Sequence, residues 1–167
     1  MTPREPDTLV IGVGNAYRRD DAVGLIVAQR LRLQSADNVM VLEESGEGTA
    51  LMEAWKGAEA VILIDAVQSG AKPGTIHRLD AHVQTLSAKF FHYSTHAFSV
   101  AEAVELARTF NQLPPRFIVY GVEGKTFAAG VGLSRSEEGS AASGGSGASG
   151  SWRKPSRHSL RRLNGYA

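Results

Sequence analysis

The sequence predicts an α/β fold: a single three-layer domain in which a twisted, mainly parallel sheet lies between helices. Three observations carry this. Short apolar runs rich in β-branched residues alternate with segments whose apolar residues recur every three to four positions. The alternation continues from Thr8 to Val122, the pattern of repeated strand–helix–strand units with right-handed crossovers. The most continuous apolar run, Ala60 to Ile64, has the composition of a strand covered on both faces.

The elements follow in order. Thr8 to Val13 reads as a buried strand feeding a helix whose stripe runs through Val23, Ile26, Val27 and Leu31. Asp20 or Asp21 is placed to cap the free N–H groups at the start of that helix. Val39 to Glu43 is a second strand. Thr49 to Lys56 is a helix with Thr49 as its cap and Leu51, Met52 and Trp55 as its apolar surface. Ala60 to Ile64 is the central strand, ended by Asp65. SGAKPGT (Ser69 to Thr75) is punctuated as a turn, Thr75 to Leu79 reads as an edge strand, and Phe98 to Phe110 as an amphipathic helix with Ser99 near its start. Arg116 to Val122 is the last strand. Functional residues in such a fold are expected beyond the carboxyl ends of the strands.

Composition narrows the function. A chain of 167 residues, 43% hydrophobic, buries one core without needing a second domain. It has no cysteine, which excludes disulfides, thiolate ligands and a cysteine nucleophile. No run reaches the roughly 18 apolar residues of a membrane span, and MTPREPDT lacks the apolar centre of a signal peptide, so a cytoplasmic protein is expected. The net charge of +1 is unevenly shared: residues 135–167 hold six Lys or Arg against two Glu, leaving twelve basic and fifteen acidic residues in the body. A mildly acidic body gives no reason to expect nucleic acid as a partner.

The stretch VIGVGNAYRRDDAVG (Val10 to Gly24) poses the functional question. A glycine turn after a strand suits a dinucleotide, with Glu43 and Glu44 near the place of a ribose-binding acid, but Tyr17 stands where the third glycine belongs. A pyrophosphate would also meet Asp20 and Asp21. A cation is the better match to those acids. Asp21 follows the first strand, Asp65 ends the central one and His96 precedes a helix; two carboxylates and an imidazole suit a borderline metal such as nickel or zinc. Each also has an ordinary reading, as a cap, a turn acid or an exposed histidine. Gly12 and Gly14 are expected to bring the main chain close to the ligand, Asn15 to brace the loop by an Asx-type bond, and Glu123 and Lys125 to line its rim or be solvated.

The segments GVGNAYRRDDAVG (Gly12 to Gly24), VILIDAV (Val61 to Val67), STHAFSVAEAV (Ser94 to Val104), VYGVEG (Val119 to Gly124) and GVGLS (Gly130 to Ser134) together resemble the hydrogenase maturation endopeptidases of [NiFe] hydrogenases. The resemblance implies a phosphorylase/hydrolase-like fold. It also implies a nickel-dependent endopeptidase, aspartic-type or metal-assisted, that removes a C-terminal peptide from the large-subunit precursor once nickel has been inserted. Asp21, Asp65 and His96 match the family's metal-contacting and catalytic positions, and the nickel is carried by the precursor, not held by the resting enzyme. Two alternatives remain: a non-catalytic nickel-sensing checkpoint or chaperone for the precursor, and a dinucleotide-binding oxidoreductase.

The resemblance covers residues 1–134, taken as the α/β domain. Beyond it the family continues into a C-terminal amphipathic helix, whereas residues 135–167 run through a Ser/Gly-rich tract into a basic tail with no apolar stripe and are expected to be disordered. Without that helix, several hundred square ångströms of apolar surface stay uncovered, worth several kcal/mol at about 25 cal/mol per Å², and self-association would be one way to cover them.

Overall fold

A computed structural model describes residues 8–34, 38–91 and 97–134. The chain divides into two compact units, Met1–Ser136 and Glu137–Ala167. The second lies outside the described residues, and with it the reading of the tail.

Five strands form one sheet: β1 (Thr8–Val13), β2 (Val39–Glu44), β3 (Ala60–Val67), β4 (Ile76–Asp80) and β5 (Arg116–Glu123). Their order is β2-β1-β3-β5-β4, parallel throughout except for β4, which runs antiparallel on the edge beside β5. The expected mainly parallel α/β architecture is therefore present, with helices α1 (Val23–Arg32), α2 (Gly48–Ala54) and α3 (Val100–Thr109).

Side chains on successive strand residues point to opposite faces, and the two faces carry different helices. Leu9, Ile11 and Val13 of β1, Val61, Leu63 and Val67 of β3, and Phe117 and Val119 of β5 form one core with Leu51 and Trp55 at α2 and Val100, Val104 and Ala107 of α3. Trp55 meets Phe117 edge-on with ring centroids 4.9 Å apart. Burying each large apolar side chain here stabilises the fold by about 1.5–3 kcal/mol. The other face receives α1, where Val23, Ala66 and Phe127 cluster with Val27, Val122 and Leu133. On that face Ile62, Ile118, Tyr120 and Val122 are only half-buried.

The fit of α1 on the sheet explains two glycines. A Cβ on Gly12 would lie 2.2 Å from the Gly24 carbonyl oxygen and 2.5 Å from Ala28 Cβ, and one on Gly24 would lie 2.2 Å from Val13 O and 2.3 Å from Ile64 O. Gly12 thus serves helix–strand contact, a task the sequence reading had not given it. Gly14, at φ 154°, leaves room for the Asp21 carbonyl, which a Cβ would meet at 1.8 Å.

Three boundaries differ from expectation. β3 does not stop at Asp65 but continues through Val67, because β5 offers Gly121, Val122 and Glu123 as pairing partners for Asp65, Ala66 and Val67. α2 is capped by Glu47, not Thr49: the Glu47 carboxylate accepts from Thr49 N at 3.0 Å and Ala50 N at 2.8 Å. Neither Asp20 nor Asp21 caps α1, which begins at Val23 behind a 3-10 turn, Arg19–Ala22, with no side-chain cap. α3 starts with Ser99 at its N-cap, as expected, and Glu102 completes a capping box with it.

Candidate active site

The crossovers diverge between β1 and β3. From β1 the chain crosses by α1 to β2 on one side, while β3 leads on toward β5 and β4 on the other, so a crevice opens at the carboxyl ends of the two central strands. Asp21 and Asp65 stand at this crevice.

Asp65 is 8% exposed, and its Oδ1 accepts from Ala66 N at 2.8 Å. Burial pushes its carboxyl well above the ordinary value, the Asp21 charge pushes it further in the same direction, and the Ala66 bond opposes both more weakly. As an odd-numbered β3 residue, Asp65 shares the parity of Leu63 and Val67 and hence the α2/α3 side. Asp21 is half-buried in the 3-10 turn between β1 and α1, with its N–H donating to Arg18 O at 3.1 Å.

His96, the third expected member, lies outside the described residues. Two residues downstream, the chain is anchored. Phe98 packs on Gly48, where a Cβ would come within 2.6 Å of the ring, and Gly48 N donates to Phe98 O at 2.8 Å. The chain entering α3 is therefore fastened to the first turn of α2. Among the described residues, no group of three His, Cys, Asp or Glu is gathered to hold a metal ion.

The paired acids of the sequence have different environments. Consecutive residues of a 3-10 turn project about 120° apart, so Asp20 and Asp21 face different directions. Asp20 is buried and accepts from Lys125 N at 2.7 Å, Thr126 N at 3.0 Å, Ser134 N at 2.6 Å and Ser134 Oγ at 2.6 Å. Burial alone would raise its carboxyl, but the Ser134, Thr126 and Lys125 bonds win and hold it below the usual range. Asn15 braces the loop as expected, its Oδ1 accepting from Tyr17 N at 2.9 Å.

Glu123 is neither solvated nor a rim residue. It is 3% exposed, and its carboxylate accepts from Ser69 N at 2.9 Å, Ser69 Oγ at 2.8 Å and Gly70 N at 3.0 Å, with His77 Nε2 3.3 Å away. Burial opposes ionisation, yet the bonds from Ser69, Gly70 and His77 keep the carboxyl below its ordinary range. Sequence reasoning missed this cluster; the acid two residues after the glycine of the last strand was the available signal. Glu43, the expected ribose acid, is occupied by Arg32 at 3.0 Å and Gln29 at 2.9 Å.

The hydrogenase maturation protease family, of the HycI type, matches residues 25–140, more than half of the chain. The chain belongs to the hydrogenase maturation protease family. Similarity to curated members is broad: it is 28% identical over 123 residues to the hydrogenase expression/formation protein HupD of Thiocapsa roseopersicina, covering 71% of this chain and 55% of that protein. To HupD of Rhodobacter capsulatus it is 29% identical over 119 residues, 69% of this chain and 56% of that one. The chain thus spans little more than half the length of these relatives. Among solved structures, an endopeptidase from Escherichia coli superposes with a TM-score of 0.66 at 25% identity, covering 79% of this chain and 83% of that one. The maturation protease HycI from Thermococcus kodakarensis has the same fold, with a TM-score of 0.58 at 21% identity over 78% and 82% of the two chains. Membership of the maturation protease family sets the dinucleotide reading aside. Among the described residues no helix is long and apolar enough to cross a membrane.

Proposed function

We propose that this chain is an endopeptidase that removes the C-terminal peptide from the large-subunit precursor of a [NiFe] hydrogenase after nickel insertion. Asp21, Asp65 and His96 contact the nickel, which belongs to the precursor and arrives with it. What supports this reading is the buried Asp65 with the like charge of Asp21 acting on it: burial and like charge disfavour the ionised pair, and a cation between them relieves both.

Nickel recognition and positioning of the scissile segment are the main contributions of these residues. A metal-free precursor leaves the acids facing each other without compensation, so selectivity arises as a difference in affinity between two forms of one substrate. Holding the tail against the crevice converts its hydrolysis into an oriented reaction. Asp65, disposed to hold a proton, and Asp21 are the groups available to exchange one with an attacking water. The chain has no cysteine, and it contains no G-x-S-x-G elbow, which favours direct attack by water over a covalent route. The setting is the cytoplasm, where a folded precursor would be available before export or assembly.

Purified protein incubated with nickel-loaded and nickel-free precursor tests the reading by mass spectrometry of the precursor. Loss of a C-terminal peptide from the loaded form alone is the expected result. A stable complex of unchanged mass would instead identify a checkpoint protein.

A further inference from the structure

The family's acids and histidine leave the neighbouring Asp20 without a task, yet its buried carboxylate accepts four hydrogen bonds. The loop that carries Asp21 is fastened to the segment after β5 through Tyr17, Arg18, Arg19 and Asp20. Arg19 N donates to Gly130 O at 3.0 Å, Gly130 N to Tyr17 O at 2.8 Å and Asp20 N to Thr126 O at 3.1 Å. Arg18 Nε reaches Phe127 O at 3.3 Å and Arg19 Nη1 reaches Val131 O at 3.1 Å. Arg19 has φ 49°, in the left-handed region that non-glycine residues rarely adopt, and the surrounding bonds hold it there. The Asp20 carboxylate sits at the centre and ties both ends of the segment, Lys125 and Thr126 at one and Ser134 at the other.

We propose that Asp20 is a positioning residue for the active site: its carboxylate gathers the main chain of Lys125, Thr126 and Ser134 into a buttress that fixes the direction in which Asp21 meets Asp65. The inference deepens the nickel-dependent protease reading and rests on it. The physical reason is cooperative. Four donors converge on one buried acceptor, and bonds to a charged acceptor are stronger than neutral ones. Asp21 follows in the next position of the same tight turn, so any rotation that relaxes Asp20 turns Asp21 away from the crevice.

The test compares Asp20→Asn and Ser134→Ala with the wild type and with Phe117→Leu, a core change at the opposite end of β5 that controls for lost stability. Three quantities are measured: kcat/KM on nickel-loaded precursor, affinity for nickel-free precursor, and amide hydrogen exchange. Misplacing a catalytic group by about 1 Å costs about a hundredfold, so Asp20→Asn is expected to lower kcat/KM by about that factor. Affinity for nickel-free precursor should stay within about twofold, because the acids contribute little to it. Ser134→Ala, which removes one of the four carboxylate bonds, should fall between Asp20→Asn and the wild type, with exchange at Lys125, Thr126 and Ser134 accelerating in the same order. Phe117→Leu should lose stability while retaining its rate at a temperature where it is folded. An Asp20→Asn variant that cuts as fast as the wild type, or one no slower than an equally destabilised Phe117→Leu, overturns the positioning role and leaves the protease reading standing. A wild type that does not distinguish loaded from nickel-free precursor overturns both.

Discussion

Gly24→Ala sets two opposed effects against each other. Alanine is the better helix former by about 1 kcal/mol, so propensity alone expects a gain at this position in the first turn of α1. The structure expects a loss. The added carbon would lie 2.2 Å from Val13 O, 2.3 Å from Ile64 O and 2.7 Å from Val13 N, all main-chain atoms of paired strands. A comfortable carbon–oxygen contact is about an ångström longer, so α1 must move off both strands by about that distance. Overpacking of this kind costs about 1–3 kcal/mol, and obstacles made of backbone put it at the upper end. Subtracting the propensity gain leaves a net loss of about 2 kcal/mol. For a domain of this size that lowers Tm by about 8 °C. Thermal unfolding followed by circular dichroism at fixed pH reads it directly. Asp21 lies three residues before Gly24, so processing of nickel-loaded precursor should also fall at temperatures where the variant is fully folded. An unchanged or raised Tm would refute the claim that the contact of α1 with β1 and β3 leaves no room for a methyl group.

Asp65→Asn should melt higher than the wild type while losing processing activity. With its folded pKa raised above 3.8, Asp65 contributes most to stability below 3.8 and loses that contribution as pH rises through the folded value; the advantage of Asn should therefore grow with pH, as Tm measured across a pH series will show. Glu123→Ala strips the acceptor from Ser69 and Gly70 and should cost about 2–4 kcal/mol in urea unfolding. In the wild type that contribution is present above 4.5 and disappears as pH falls through the lowered folded value, so the two proteins should converge in acid. Glu47→Ala removes the cap of α2 and should cost about 1 kcal/mol, visible as a lower urea midpoint at unchanged slope.

The regular elements were legible because their periods differ. Val23, Val27 and Leu31 repeat as a helix does, and Thr8 to Val13 is short, apolar and β-branched. Partners supplied from far along the chain were not legible. An aspartate after ILI reads as the end of a strand, and only the alignment of Gly121 beside it shows that β3 continues. Asp20 and Asp21 are indistinguishable as letters; the donors that separate them come from Lys125, Thr126 and Ser134. Glu123 looked like a surface acid because the N–H groups it receives belong to a turn more than fifty residues earlier. The alternation pointed to the carboxyl ends of the strands as the place for function, whereas the strand order that puts β1 beside β3 comes only from the pairing of residues far apart in the chain.

The carboxylate of Asp20 waits for donors 105 to 114 residues downstream. At ribosomal speeds of about 5–20 residues per second, roughly 5 to 20 seconds separate the emergence of the acid-bearing loop from that of the segment that secures it. β4 meets a shorter delay, since its partner β5 also follows it in the chain. A nascent chain therefore exposes both acids well before the segment that bonds Asp20 has been made.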